Sequence, residues 1–169
     1  MDVETAIRTR RTHKAFAPEP LPREQIDELL ELASWAPNHN LTVPWRFRVI
    51  GPEALRRLKE VAGPEGATKL DRAPTLIVAS CVLCGEAVTE EEDLHASAAA
   101  AYIVLLAAHA RGLAGYWRTP GLLRGPEGRA AVGLPAEERF VGLLHLGRPR
   151  QPKQPPERPG AADTVTYLD

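Results

Sequence analysis

Three short stretches contain residue types that could bind a charged or planar ligand. The first, RTRRTHK at residues 8–14, combines basic side chains with a hydroxyl at a predicted helix end, in Arg10, Arg11, Thr12 and Lys14. Arginine can hold phosphate oxygens in a bidentate manner, and a hydroxyl and a lysine can fill further acceptor positions. A solvated basic helix end, favoured by the helix dipole, is the alternative. Spacing alone leaves both interpretations open.

The second stretch is APNHN, residues 36–40, which contains both asparagines of the chain. Pro37, Asn38 and His39 start a polar loop that reaches Pro44 and an aromatic anchor, Trp45. Its amide and imidazole groups could bind the edge of a flat heterocycle. They could equally bond to the backbone of their own turn.

The third stretch, GYWRTPG at residues 115–121, places Trp117, Arg118 and Thr119 at the end of a predicted strand. An aromatic ring beside an arginine suits a planar ligand. Core packing of Trp117 with a surface arginine is the competing interpretation.

Other reactive residues give weaker patterns. Cys81 and Cys84 form a C-x-x-C at the end of an apolar strand, without a second pair to complete a zinc site. The five histidines lack metal-ligand spacing, and we find no Ser–His–Asp set. We therefore predict no metal and no side-chain nucleophile.

Composition sets the class of protein. The 169 residues suit one domain, with 44% hydrophobic and 25% charged residues. A net charge of −1 gives no reason to expect nucleic acid or an anionic membrane as a partner. The longest apolar run, 96–110, is too short to span a bilayer. Two cysteines without a secretory signal favour the cytoplasm.

Hydrophobic periodicity predicts a single α+β domain, with a sheet surrounded by helices. Thr89 and Glu92 are predicted to form a capping box, and Gly63 and Gly112 to end helices. A proline-rich tail follows Gly147, and residues 163–168 could add a strand. Strands are predicted over 45–50, 75–83, 114–119 and 140–146, and helices over 3–11, 22–36, 52–62, 89–111 and 126–132.

Taken together and in order, these stretches resemble the nitroreductase family of FMN-dependent oxidoreductases, in particular its short, minimal subgroup. RRTHKAF at 10–16 is similar to the family's R-R-S-x-R-x-F. The segment LLELASWAPNHNLTVPWRFRVI at 29–50 resembles L-x-x-A-x-x-A-P followed by P-W-x-F-x-V. GLAGYWRTPGLL, VGLLHLGRPR and the closing VTYL continue the resemblance over the whole chain.

The resemblance implies a mostly antiparallel sheet flanked by helices and an interlocked homodimer with FMN at its interface. It implies that Arg10, Arg11 and Thr12 hold the phosphate and ribityl chain, with Lys14 near the pyrimidine. Further cofactor contacts would come from Pro37, Asn38 and His39 of the other subunit and from Trp117, Arg118 and Thr119. Residues 148–169 would form an arm on the partner, and whether Lys153 or Arg158 joins the phosphate site is left open.

The implied activity is ping-pong hydride transfer, in which NADH or NADPH is the donor and flavin N5 carries the hydride. Nitroaromatics, quinones or enones would be the acceptors. Leu41, Val43 and Pro120 depart from the family pattern, and the segment 61–73 is short. A non-enzymatic flavin binder on a decayed fold, or a basic module that binds anions without flavin, are the alternatives.

Overall fold

The computed structural model of the protein describes residues 1–155, 157–158 and 160–168. Turns of 3-10 helix occur at His39–Leu41, Gly121–Arg124 and Ala161–Thr164. The helices are α1 (Val3–Thr9), α2 (Arg23–Ala33), α3 (Pro52–Leu70), α4 (Ala87–Ala110) and α5 (Pro126–Ala131). The strands are β1 (Trp45–Val49), β2 (Thr75–Val82), β3 (Ala114–Arg118) and β4 (Glu138–Gly147).

The four strands form one antiparallel sheet in the order β1-β2-β4-β3. Helices α2 and α4 cover one face with one apolar core, and α3 and α5 cover the other with a second. Strand β2 is buried on both faces, as its nearly continuous apolar sequence predicts. The predicted α+β class, an antiparallel sheet flanked by helices, is confirmed.

Helix α4 is the longest helix and the main support of the sheet. It is long and apolar enough to cross a membrane by length and composition, and half of that stretch is buried within the fold. Its predicted cap at Thr89 is wrong. The Glu86 carboxylate accepts hydrogen bonds from the Thr89 amide and hydroxyl, at 3.0 and 2.9 Å, so the helix begins at Ala87.

Two further predictions need correction. The helix predicted to stop at Gly63 continues to Leu70 through a kink, where Gly63 has φ 66° and Pro64 opens the second half. Glycine permits that conformation, and proline suits the first turn of the resumed helix. The strand considered at 163–168 does not form among the described residues, since Val165, Tyr167 and Leu168 are exposed with no strand beside them.

Candidate functional site

The first candidate site is a cavity of about 650 Å³ where α1 ends against α4. We call it the arginine cavity. Helix α1 ends at Thr9, whose hydroxyl lies 2.8 Å from Nε2 of His109. Arg10 and Arg11 therefore lie beyond the helix, in an extended segment that faces α4. The cavity is lined by Ile7, Arg8, Arg10, Arg11, Tyr102, Pro155 and Arg158.

The charge of this cavity is incompletely compensated. The Nε atoms of Arg10 and Arg11 are buried and have no hydrogen-bond partner among the described residues. The Arg10 guanidinium lies over the Tyr102 ring, 5.5 Å from its centroid. Arg8 pairs with exposed Glu4 of the preceding turn. Because a buried donor without an acceptor is costly, this geometry suits an anionic ligand with several oxygens.

The histidines near the cavity do not add to its charge. Burial, followed by the positive charge of Arg10, lowers the pKa of His109 below its ordinary value of 6.5. Burial also lowers the pKa of His13, with the charge of Lys153 as the next cause. Both rings are therefore neutral near pH 7, and the arginines provide the positive field.

Thr12 and Lys14 occupy different surroundings. Thr12 forms a parallel bridge with Gly115 of β3, and its carbonyl accepts a 3.3 Å hydrogen bond from Lys153. Lys14 is exposed and lines a separate cavity of about 430 Å³ with Phe16 and Arg72. The structure thus groups Arg10 with Arg11 and places Lys14 in the neighbouring cavity.

The loop 36–43 uses the side chain of Asn38 to hold its own backbone. Asn38 Oδ1 accepts a hydrogen bond from the Val43 amide at 2.9 Å, and Asn38 Nδ2 donates to the Ala36 carbonyl at 3.2 Å. Asn40 has φ 49°, a left-handed conformation that asparagine tolerates better than most residues. The self-bonding turn considered from the sequence therefore describes Asn38. Ligand contacts from Pro37, Asn38 and His39 remain a prediction.

This loop also lines a cavity of its own. Pro37, Asn38 and His39 face α4 across a space of about 500 Å³, near His95 and Ala99. That position precedes Tyr102 along α4. Within one chain, the loop and the arginines therefore line different cavities along the same helix.

Two of the three candidate residues at the end of β3 donate hydrogen bonds to the backbone of the fold. The Trp117 indole donates to the Val141 carbonyl at 3.3 Å and packs against the core under α4, as the core-packing interpretation describes. Arg118 donates to the Lys69 carbonyl at 3.3 Å, and Thr119 is exposed. Lys69, Arg118 and Pro120 line a cavity of about 370 Å³ between α3 and β3, the α3–β3 cavity.

Sequence reasoning missed two members of the arginine cavity. Tyr102 was assigned no role, although it faces Arg10 from the middle of α4. Arg8 belongs to the same basic stretch as Arg10 and was not singled out. Arg158, left open from the sequence, lines the cavity. It lies so far along the chain that only the folded tail brings it to α1.

The protein has an antiparallel α+β fold, with an arginine-lined cavity where α1 ends. A sequence model described as "Nitroreductase family" matches residues 7–68. "Putative NAD(P)H nitroreductase YdjA" of Escherichia coli K12 is 31% identical over 166 residues, covering 89% of this chain and 90% of the relative. A "Putative NADH dehydrogenase/NAD(P)H nitroreductase" of Methanothermobacter thermautotrophicus is 36% identical over 148 residues, covering 86% and 69%.

Solved structures of nitroreductase-like proteins have a similar fold. The nitroreductase-like protein of Bacillus cereus has a TM-score of 0.89 at 24% identity, covering 100% of this chain and 97% of the other. A "putative nitroreductase in complex with fmn" from Desulfovibrio desulfuricans has a TM-score of 0.81 at 26% identity, covering 99% and 96%. The chain belongs to the nitroreductase family, and the resemblance seen in its motifs is confirmed.

Proposed function

We propose that this chain reduces small electron-poor acceptors, such as nitroaromatics, quinones or enones, by ping-pong hydride transfer from NADH or NADPH. Its family makes it an NAD(P)H-dependent flavin oxidoreductase with FMN as cofactor. For a nitroaromatic, the nicotinamide supplies one hydride, which carries two electrons, and the solvent supplies one proton. Together they convert the nitro group into a nitroso group and water. The range of acceptors is the proposed part.

The observation that carries the proposal is the pair of buried Nε atoms of Arg10 and Arg11 in the arginine cavity, which have no hydrogen-bond partner within the described ranges. The FMN phosphate supplies oxygen acceptors for such donors, and Arg8 and Arg158 add charge from the cavity wall. Tyr102 adds an apolar surface beside them. These residues fit the phosphate end of FMN.

Bound FMN would supply the hydride chemistry, and the protein would supply binding, orientation and electrostatics. Arg10 and Arg11 would hold the phosphate and thereby fix the position of the cofactor. Lys14 would place a cation near the pyrimidine side, where it stabilises negative charge. Pro120 has no N–H, so a backbone hydrogen bond from the end of β3 to flavin N5 would come from Thr119 or a neighbour.

A homodimer would complete the site. In one chain the loop 36–43 and the arginines line separate cavities, and half of the apolar stretch of α4 is not buried. Exposed apolar residues of α1, Val3 and Ile7, extend this surface. A second copy would cover it and bring its loop 36–43 to the first copy's cofactor, while residues 148–169 form the arm between them.

Light scattering on the purified protein tests the dimer. We expect a mass of twice the 18.4 kDa chain. A single-chain mass at micromolar concentration, with FMN still bound, would contradict a site built from two copies.

The activity is tested by anaerobic titration. The purified protein should be yellow, and NADH or NADPH should bleach it. A nitroaromatic or a quinone should then restore the colour. Colourless protein that ignores added FMN would refute cofactor binding. Yellow protein that neither nicotinamide bleaches would refute the hydride transfer.

A further inference from the structure

We propose that the α3–β3 cavity receives the anionic end of the acceptor, so that the preferred substrates are flat aromatic acceptors with a carboxylate or similar group. The proposal rests on the proposed function. The cavity has an apolar wall formed by Val61, Leu70 and Leu122, and two cations, Lys69 and Arg118. Such a combination suits an aromatic ring with a negative substituent.

Among the residues that the structure describes, no buried acid pairs with either cation. The one hydrogen bond of the Arg118 side chain within the described chain is to the Lys69 carbonyl, which carries no net charge. Lys69 pairs with Glu65 one turn earlier, and the Glu65 side chain is 88% exposed. Exposed pairs of this kind contribute little, so Lys69 can bind an incoming anion instead.

A buried histidine close to Arg118 is affected by the same positive charge. His145 lies on β4 in register with Tyr116 of β3, two residues before Arg118. The pKa of His145 is lowered to about 3, by burial first and then by the positive charges of Arg118 and Arg72. An anion bound beside Arg118 would therefore meet a favourable potential.

The shape of the cavity favours a single ring. The kink at Gly63 turns the second half of α3, and a Cβ on Gly66 would lie 2.8 Å from Cβ of Ala62. Ala62 and Gly66 line the cavity, and its volume of about 370 Å³ lies near the lower end of the range for small-molecule pockets. A substituted benzene fits such a volume better than an entire dinucleotide.

The location links the cavity to the reaction. Pro120 lines it, and Thr119, the neighbouring residue, is one of the proposed cofactor contacts. An acceptor whose anionic group binds Lys69 would have its ring directed towards the end of β3. Lys69 would thus determine specificity without taking part in the chemistry.

The test compares two acceptors of similar shape, 4-nitrobenzoate and 4-nitrobenzyl alcohol, with the FMN-loaded enzyme. We expect the benzoate to have the higher kcat/KM. Lys69→Gln should lower the benzoate-to-alcohol ratio of kcat/KM by about 10-fold, as expected when a charge-assisted hydrogen bond is lost. Lys59→Gln, on the same helix but paired with Asp71, is the control and should leave the ratio unchanged.

Equilibrium binding provides a second readout that needs no turnover. Benzoate, measured by isothermal titration calorimetry on the same holoenzyme, should bind more weakly to Lys69→Gln by a similar factor, and added salt should weaken binding to the wild type. If both nitro compounds are reduced with a ratio that Lys69→Gln leaves unchanged, this proposal is overturned and the proposed function stands.

Two other outcomes also overturn the proposal. If Lys69→Gln slows only the half-reaction with NADH or NADPH, the anion in the cavity belongs to the donor. If the nicotinamides bleach the protein but neither nitro compound reoxidises it, and benzoate binding does not depend on Lys69, both the acceptor range and the anion preference fail.

Discussion

The Thr42 hydroxyl donates a 2.6 Å hydrogen bond to the buried carboxylate of Asp93, which ties the loop 36–43 to the first turns of α4. Asp93 forms no ion pair in the part of the chain that the structure describes. The loop also contains Leu41 and Val43 at φ 54° and 46°. Since such angles are unfavourable for branched side chains, the bond from Thr42 to Asp93 adds to those of Asn38 in holding this conformation.

Thr42→Val should therefore destabilise the protein and loosen the loop. It removes the hydrogen bond and leaves a buried carboxylate without that donor, at a cost of about 1–3 kcal/mol. Urea unfolding of the FMN-free protein measures the change. Thr68→Val, at an exposed position of α3, removes a comparable hydroxyl and should change stability by less than ~0.5 kcal/mol. Equal losses for both variants would contradict the role of Asp93.

Arg10→Ala should release FMN without unfolding the protein. A charge-assisted contact of about 1.5–3 kcal/mol corresponds to a rise in Kd of roughly 10- to 150-fold. The apoprotein should lose less than ~1 kcal/mol, since in the described part of the chain the buried Nε has no hydrogen-bond partner to lose and the contact with Tyr102 is weak.

Fluorescence of released flavin after gel filtration measures this effect. Arg23→Ala, on the exposed side of α2, is the matched control and should retain the cofactor. If Arg10→Ala retains FMN as the wild type does, the phosphate lies elsewhere.

Local sequence patterns predicted most of the fold because they reflect interactions between residues that are close in sequence. The apolar run at 75–83 buries its side chains on both faces as a covered strand, and it forms β2. Glycine at 112 ended α4 as expected, with φ 74°. The errors arose where a neighbouring residue could also cap or continue a helix. Glu86 capped the helix in place of Thr89, and Pro64 restarted the helix that Gly63 interrupts.

The site was less predictable because it depends on contacts between distant residues. Arg10 and Arg11 stood out by charge and spacing, and the structure places them together. By sequence the side chain of Asn38 could bind either a ligand or its own turn, and the structure shows it bonded to the backbone at Ala36 and Val43. Tyr102 and Arg158 reach the arginine cavity only through the packing of α4 and the tail, which local periodicity does not encode.

Gly142→Ala should disturb the strand end that carries Trp117. A Cβ at position 142 would lie 2.1 Å from Nε1 of Trp117, so the indole must move and lose its bond to the Val141 carbonyl. Such overpacking costs about 1–3 kcal/mol. Gly51→Ala, where a Cβ meets no atom within 4 Å, is the control. Unchanged tryptophan fluorescence and unfolding midpoint in Gly142→Ala would contradict this packing.

His145 should make the protein sensitive to acid. The ring is fully buried on β4, and neither of its nitrogens has a hydrogen-bond partner among the described residues. Burial, with the charges of Arg118 and Arg72, lowers its pKa from 6.5 to about 3 in the folded state. The unfolded chain therefore binds more protons than the folded chain between these values. The stability contributed by neutral His145 is complete above pH 6.5 and is lost as the pH falls towards 3.

The loss should approach about 1.4 kcal/mol per pH unit within that window. His145→Leu, which keeps an apolar side chain of similar volume, should flatten the dependence of unfolding free energy on pH relative to the wild type. Urea unfolding of both proteins at pH 7, 6, 5 and 4 gives the comparison, in which the contributions of carboxylates cancel. His109→Leu, at a histidine of α4 that is less buried than His145, should flatten it less. Parallel curves for wild type and His145→Leu would show that the imidazole finds a proton acceptor or water on ionisation.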